Sequence, residues 1–208
     1  MKKGFFITIE GCDGSGKTTQ WDLLKQSLNQ NSNNLVFTRE PGSTDLGKEL
    51  RKILLNREDL ILSAEAELLL YLADRVQHIK EIIRPALEQG KTIICDRFFD
   101  STIAYQGYAR GLSIEKIVLL NNIITENLKP DLTIFLDVDP NVSLSRSKDK
   151  NKIEFEGLEF QKKVREGFLS IAKTDISRFE IINTTNLSIE EVHIKILELI
   201  KKKSCKNN

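Results

Sequence analysis

Residues 5–18 read Phe5-Phe6-Ile7-Thr8-Ile9-Glu10-Gly11-Cys12-Asp13-Gly14-Ser15-Gly16-Lys17-Thr18, and this stretch decides the fold. Its first six residues are an apolar-rich run suited to a strand buried on both faces of a sheet. Its last eight match G-x-x-x-x-G-K-[ST] in full, and helical spacing begins at Lys17. Strand, glycine loop and helix in that order form an anion trap. The backbone N–H groups of Gly11, Cys12, Asp13, Gly14, Ser15 and Gly16 can curl around a β-phosphate, with the positive end of the helix behind them. Lys17 is expected to bridge β- and γ-oxygens, and the Thr18 hydroxyl to ligate Mg²⁺. The loop predicts Mg·ATP as ligand and leaves the acceptor of the phosphate open.

Outward from this loop, four more short runs read as strands, at 35–38, 92–95, 132–138 and 179–182. Most are continuous apolar runs, as in a parallel sheet covered on both sides. Helical spacing covers 17–29, 46–56, 64–89, 114–127, 142–148, 155–173 and 189–202. Pro85 is expected to kink the third of these, which stops at Gly90, a natural residue after a helix end. Connections longer than one helix separate strands two and three, and strands four and five. The alternation predicts an α/β fold, a doubly wound five-stranded parallel sheet flanked by helices. No repeat or Pro-rich linker divides the 208 residues, so 1–208 reads as one domain with a solvated tail at about 203–208.

Thirty-one Lys and Arg against thirty Asp and Glu leave a net charge of +1. That balance offers no footprint for nucleic acid or a membrane surface, so any anion must be captured by local geometry. Cys12, Cys95 and Cys205 are odd in number and lack metal or redox spacing, which suits a reducing compartment. Met1-Lys2-Lys3-Gly4 runs straight into a strand too short for a signal peptide, and no apolar stretch approaches the ~20 residues that span a bilayer. A cytoplasmic location is expected.

Four clusters ask for a second anionic ligand. Arg39, in Thr38-Arg39-Glu40-Pro41-Gly42, ends the second strand, at the ligand edge of such a sheet, and can fork onto a phosphate. Asp96-Arg97 ends the third strand, where the acid can hold Mg²⁺ or its water and the arginine can meet the transferring phosphate. Tyr71 and Arg75, four apart on one helix, bring a ring and a guanidinium to the same region, a pairing suited to a planar base with a carbonyl edge. Ser101, Thr102, Tyr105 and Gln106 add hydroxyl and amide groups and a second ring. His78, one turn beyond Arg75, reads as a packing or helix-surface residue.

Together, the Gly11-to-Thr18 loop, Phe37-Thr38-Arg39-Glu40-Pro41-Gly42, Tyr71-Leu72-Ala73-Asp74-Arg75-Val76-Gln77, and Asp96-Arg97 through Ala104-Tyr105-Gln106-Gly107 resemble bacterial thymidylate kinases. The resemblance runs from about Phe5 to Thr185 in the family's order. It implies a P-loop nucleoside monophosphate kinase with a short lid at about 144–154. The implied reaction converts dTMP and ATP to dTDP and ADP with Mg²⁺, and the implied assembly is a homodimer. By resemblance, Asp13 contacts the acceptor's 3′-hydroxyl, and Arg39 and Arg97 hold its phosphate. Tyr71 stacks on thymine, Arg75 donates to its carbonyl, and Thr102 touches the base edge. Tyr105 lies beside the sugar and disfavours a 2′-hydroxyl, and Arg146 lies against adenine.

The lid departs from the pattern. Members of the family carry an arginine for the transferring phosphate in the phosphate loop or in the lid. Gly14 occupies the first place here, and the lid offers Lys148, Lys150 and Lys152. A lysine is therefore expected to act, with Lys150 favoured because it lies mid-segment. Two other readings stay open, a different nucleoside monophosphate kinase and a P-loop ATPase switch. The missing base-reading Asn-Lys-x-Asp, replaced by Asn183-Thr184-Thr185-Asn186, argues against a GTPase.

Overall fold

In the computed structural model, which describes residues 4–28, 34–57, 59–146 and 156–204, strand β1 (Phe5–Gly11) is buried at every position. Its side chains alternate between two cores, as the two-residue period of a strand requires. Phe6 packs in one core, and Phe5, Ile7 and Ile9 pack in the other. β3 (Thr92–Asp96) and β4 (Leu132–Asp137) divide in the same way: Ile93, Cys95 and Phe135 point to the first core, Ile94, Ile134 and Leu136 to the second. With β2 (Leu35–Arg39) and β5 (Phe179–Asn183) they form one parallel sheet in the order β2-β3-β1-β4-β5. The polar residues of β1 on the Phe6 face, Thr8 and Glu10, are also fully buried and have assigned partners: Thr8 Oγ1 bonds Thr133 Oγ1 at 2.9 Å.

Helices cover both faces. α1 (Lys17–Leu28) and α9 (Ile189–Ser204) cover the second core through Trp21, Leu24, Val192 and Ile196. The first core is closed by α3 (Ala64–His78), α6 (Ile114–Thr125) and α8 (Gly157–Thr174), through residues such as Leu72, Ile117, Val164 and Phe168. α7 (Pro140–Arg146) follows β4 and leads towards 147–155, which lie outside the described residues. Local caps fix several starts. Thr44 accepts from the Gly47 N–H to open α2 (Asp45–Arg51), and Ser63 accepts from the Ala66 N–H to open α3.

The helical stretches differ from the sequence reading in three places. The 46–56 stretch is α2 followed by a π-helical turn, Lys52–Asn56. The 64–89 stretch is α3, a π-helical turn at Ile79–Ile83, and α4 (Arg84–Glu88). Pro85 sits in the first turn of α4, where its missing N–H loses nothing, and the adjustment falls in the wide turn upstream. The third difference is a helix with no sequence forecast: α5 (Phe99–Thr102) continues into a π-helical segment, Ile103–Ala109. The connection between β3 and β4 thus also holds more than one helix. The 103–109 segment packs closely on α8, where a Cβ on Gly167 would stand 2.9 Å from the Ala104 Cα and 3.0 Å from the Tyr108 ring.

Candidate active site

The parallel register brings the chemistry to one edge. Arg39 on β2 pairs with Asp96 on β3, Asp96 pairs with Ile9 on β1, and Gly11 on β1 pairs with Leu136 on β4. The strand ends, and the loops beyond them, line a cavity of about 860 Å³. The phosphate loop forms its floor. Gly14 (φ +73°) and Gly16 (φ +95°) take left-handed conformations that side chains avoid, and a Cβ on Gly14 would run into the Ser143 carbonyl. Ser143 also donates its hydroxyl hydrogen bond to the Asp13 carbonyl, hooking α7 onto the loop.

Lys17 is buried and folds back over the loop, its Nζ donating to the carbonyls of Gly11 (2.9 Å) and Cys12 (2.8 Å). Burial, and then the charge of Arg97, press its ammonium below its usual pKa. Burial lifts the Cys12 thiol to about 12, so it stays an inert neutral filler in the loop.

Because β3 and β4 flank β1 on opposite sides, the cavity has two walls. The wall beyond β4 and β5 carries Arg146, Thr184, Leu187, Ile189 and Val192. Arg146 is held there by the Thr185 carbonyl, 3.0 Å from its Nη2. The wall beyond β3 carries Tyr71, Arg75, Arg97, Thr102, Tyr105 and Gln106. Arg97 is its hub: Nη2 meets Asp13 Oδ1 at 2.6 Å, and Nη1 reaches the Gly11 carbonyl (3.0 Å) and Ser101 Oγ (3.2 Å). The guanidinium lies 5.0 Å from the Tyr105 ring centre, and the Tyr105 hydroxyl donates to Asp13 Oδ2 at 3.2 Å.

Arg75 is 1 % exposed and tightly bound: Nε pairs with Glu40 Oε2 at 2.8 Å, and Nη1 donates to Thr102 Oγ1 (2.8 Å) and Asn121 Oδ1 (2.9 Å). His78 is a buried packing residue in the same network, joined to Glu40 Oε1 at 2.9 Å and Thr38 Oγ1 at 2.5 Å. Gln106 donates to Glu67 Oε1 at 2.8 Å. Arg39 is exposed and stands outside the cavity lining, its backbone N–H bonded to Ser43 Oγ. Arg51 lines the cavity instead, anchored by Nη1 to the Pro41 carbonyl at 2.9 Å. The sequence reading missed Arg51, because a lone arginine late in an amphipathic stretch has no motif spacing. It also missed Glu10, whose signal was a charge inside a run otherwise fit for burial.

The donor set suits magnesium. Asp96 Oδ1 is buried with no hydrogen-bond partner among the described residues, and the Thr18 side chain borders the same cavity. No cluster of three acidic, His or Cys ligands occurs among the described residues. Lys148, Lys150 and Lys152 lie outside the described residues.

A phosphate loop at the centre of a parallel sheet, facing a wall of buried arginine, aromatic and amide groups, defines a P-loop phosphotransferase with a second site for a small acceptor. The thymidylate kinase family profile matches residues 9–196. The thymidylate kinase of Sulfurihydrogenibium sp. is 46 % identical over 202 residues, 97 % of this chain and 98 % of its own. That of Synechococcus sp. (strain JA-2-3B'a(2-13)) is 50 % identical over 173 residues, 83 % of each chain. The crystal structure of thymidylate kinase from Ehrlichia chaffeensis superposes with a TM-score of 0.79 at 39 % identity, covering 95 % of this chain and 99 % of that one. The chain belongs to the thymidylate kinase family and has that family's activity, ATP-dependent phosphorylation of dTMP.

Proposed function

We propose that dTMP lies along the wall beyond β3 with its phosphate at Arg97, and that ATP lies over the phosphate loop with its adenine against Arg146. A phosphate oxygen of dTMP attacks the γ-phosphorus, the bond to the β,γ-bridging oxygen breaks, and ADP leaves. The acceptor oxygen is already nucleophilic, so the residues work by positioning and charge. Lys17 turns from the loop carbonyls to the β- and γ-oxygens. Tyr71 stacks on thymine, Arg75 and Thr102 meet its polar edge with Gln106 beside them, and Tyr105 crowds the 2′ position. Asp13 accepts the 3′-hydroxyl, and Arg39 reaches the acceptor phosphate from the rim. Thr18 and Asp96 would hold Mg²⁺ directly or through water. When bound, the ion neutralises charge between the β- and γ-phosphates.

The observation that carries this reading is Arg97, one guanidinium tied both to the phosphate loop and to the helix that bears Ser101 and Tyr105. Only a group so placed can touch donor and acceptor together. Losing a charged hydrogen-bonding contact costs about 1.5–3 kcal/mol, so Arg97→Ala should lower kcat/KM for dTMP at least tenfold. Unchanged kinetics in a folded variant would remove Arg97 from the site.

The lid at 144–154 supplies the remaining positive charge through Lys148, Lys150 or Lys152, with Lys150 favoured. Alanine at each position, read through kcat, tests this, and three silent variants would discard it. The chain acts as one domain over 1–208, with one sheet serving both substrates. It pairs as a homodimer and works in the cytoplasm. No described helix is long and apolar enough to cross a membrane, and cell fractionation checks the location.

A further inference from the structure

Glu10 is the only charge in β1, and it is fully buried. A carboxyl in such a place is costly unless it holds something. Both of its oxygens are committed. Oε1 accepts from the Phe98 N–H at 2.7 Å, and Oε2 pairs with the Ser101 hydroxyl at 2.6 Å. Ser101 Oγ in turn accepts from Arg97 Nη1 at 3.2 Å. Between these anchors Arg97 has φ 68°, a left-handed conformation that a residue with a Cβ resists and the surroundings must impose.

The end of β1 grips that residue from both sides. The Arg97 N–H donates to the Ile9 carbonyl at 3.0 Å, and the next amide along the chain, that of Phe98, is the one Glu10 holds. We propose that Glu10 is the positioning residue for Arg97, fixing its strained backbone through Phe98 and its guanidinium through Ser101. An apolar side chain at position 10 would strand the buried Phe98 amide and free the Ser101 hydroxyl to turn away. Neighbouring charge does not relieve Glu10 of this task. Asp100 is closed off in a bidentate pair with Arg178, at 2.6 and 2.7 Å. Burial and the nearby Asp100 lift the Glu10 carboxyl to about 8, the mark of a group kept in place at a cost.

This inference rests on the reading of Arg97 as the clamp on the acceptor phosphate, and a double-mutant cycle separates the two. Ser101→Ala, Glu10→Gln and Glu10→Ala are made alone and with Arg97→Ala, and kcat and KM are measured for dTMP and for ATP beside a thermal melt. Ser101→Ala should lower kcat/KM for dTMP about tenfold, the loss of one charged hydrogen bond, with KM for ATP unchanged. Glu10→Ala should lose at least as much. Glu10→Gln, whose amide oxygen still accepts from the Phe98 N–H and whose NH2 can donate to Ser101 Oγ in place of the bond Ser101 now donates, should stay within about threefold of wild type. In the Arg97→Ala background Ser101→Ala should add nothing. Equal losses in both backgrounds, or no loss in either, would overturn the positioning role. If Glu10→Ala does not fold, Ser101→Ala and Glu10→Gln decide. A silent Arg97→Ala overturns the Arg97 reading and this one with it, whereas an impaired Arg97→Ala with additive partners overturns only this one.

Discussion

At Arg75 a guanidinium with bonds to Glu40, Thr102 and Asn121, and with the Phe98 ring 5.3 Å away, serves two tasks. It lines the cavity, and it neutralises Glu40, whose other oxygen holds His78. Arg75→Ala would leave a buried carboxylate without its cation, a change that costs about 3–5 kcal/mol. The melting temperature should therefore fall by roughly 10 °C, since each kcal/mol is worth about 2–4 °C in a chain of this size. A thermal melt of the ligand-free variant measures this. An unshifted melt would mean that Arg75 serves the base alone. Two carboxyls add a pH dependence. Burial first, and then Glu40, lift Asp74 to about 6, and Glu10 stands at about 8. Both folded values lie above the unfolded ones, so their contribution is full only below about pH 4 and is lost as pH rises towards each folded value. The melting temperature should decline from about pH 4 to about pH 8, and Glu10→Gln should flatten the upper part of the decline. A profile that rises over that range would contradict the assignment.

Among the elements, the strands and most helices were legible because they bury plain apolar surface. β1 and β4 are short, apolar-rich runs, and α8 shows a helical stripe at Phe160, Val164, Phe168 and Ile171. The helix over 99–109 was not legible for a physical reason. It buries Asp100, Thr102 and Gln106 together with Phe99, Ile103, Ala104 and Tyr105, so polar and apolar residues share its buried side and the usual contrast between faces is missing. Its partners, Arg178 and Arg75 and Glu67, come from elements 78, 27 and 39 residues away in the chain. Most residues that line the cavity were readable from motif and resemblance, while the element that carries Thr102, Tyr105 and Gln106 was not. Its position depends on Gly167 in α8, where no side chain fits against Ala104 and Tyr108. Gly167→Ala should cost about 1–3 kcal/mol by overpacking and push Tyr105 out of register. The ratio of kcat/KM for dTMP to that for its ribose counterpart should fall with the melting temperature. A variant with both quantities at wild-type values would mean that the helix tolerates the shift.

Across the whole molecule, the sheet order sets one phosphate loop between the two walls of a single cavity. α3 and α6, packed against each other, expose Leu69, Leu119 and Ile123, all more than half accessible. A homodimer covering that face would exclude water from it. Sedimentation equilibrium should give twice the 23.7 kDa chain mass, and Leu119→Asp with Ile123→Asp should halve it. A wild-type monomer would dismiss the dimer. The central claim, that this cavity joins ATP to dTMP, is tested most directly by one assay. The purified chain is given Mg·ATP with each nucleoside monophosphate in turn, and both ADP and the nucleotide product are followed. The expected result is stoichiometric dTDP and ADP, with kcat/KM for dTMP at least tenfold above that for any ribonucleotide. ATP turnover that releases free phosphate, or a preferred acceptor other than dTMP, would contradict it.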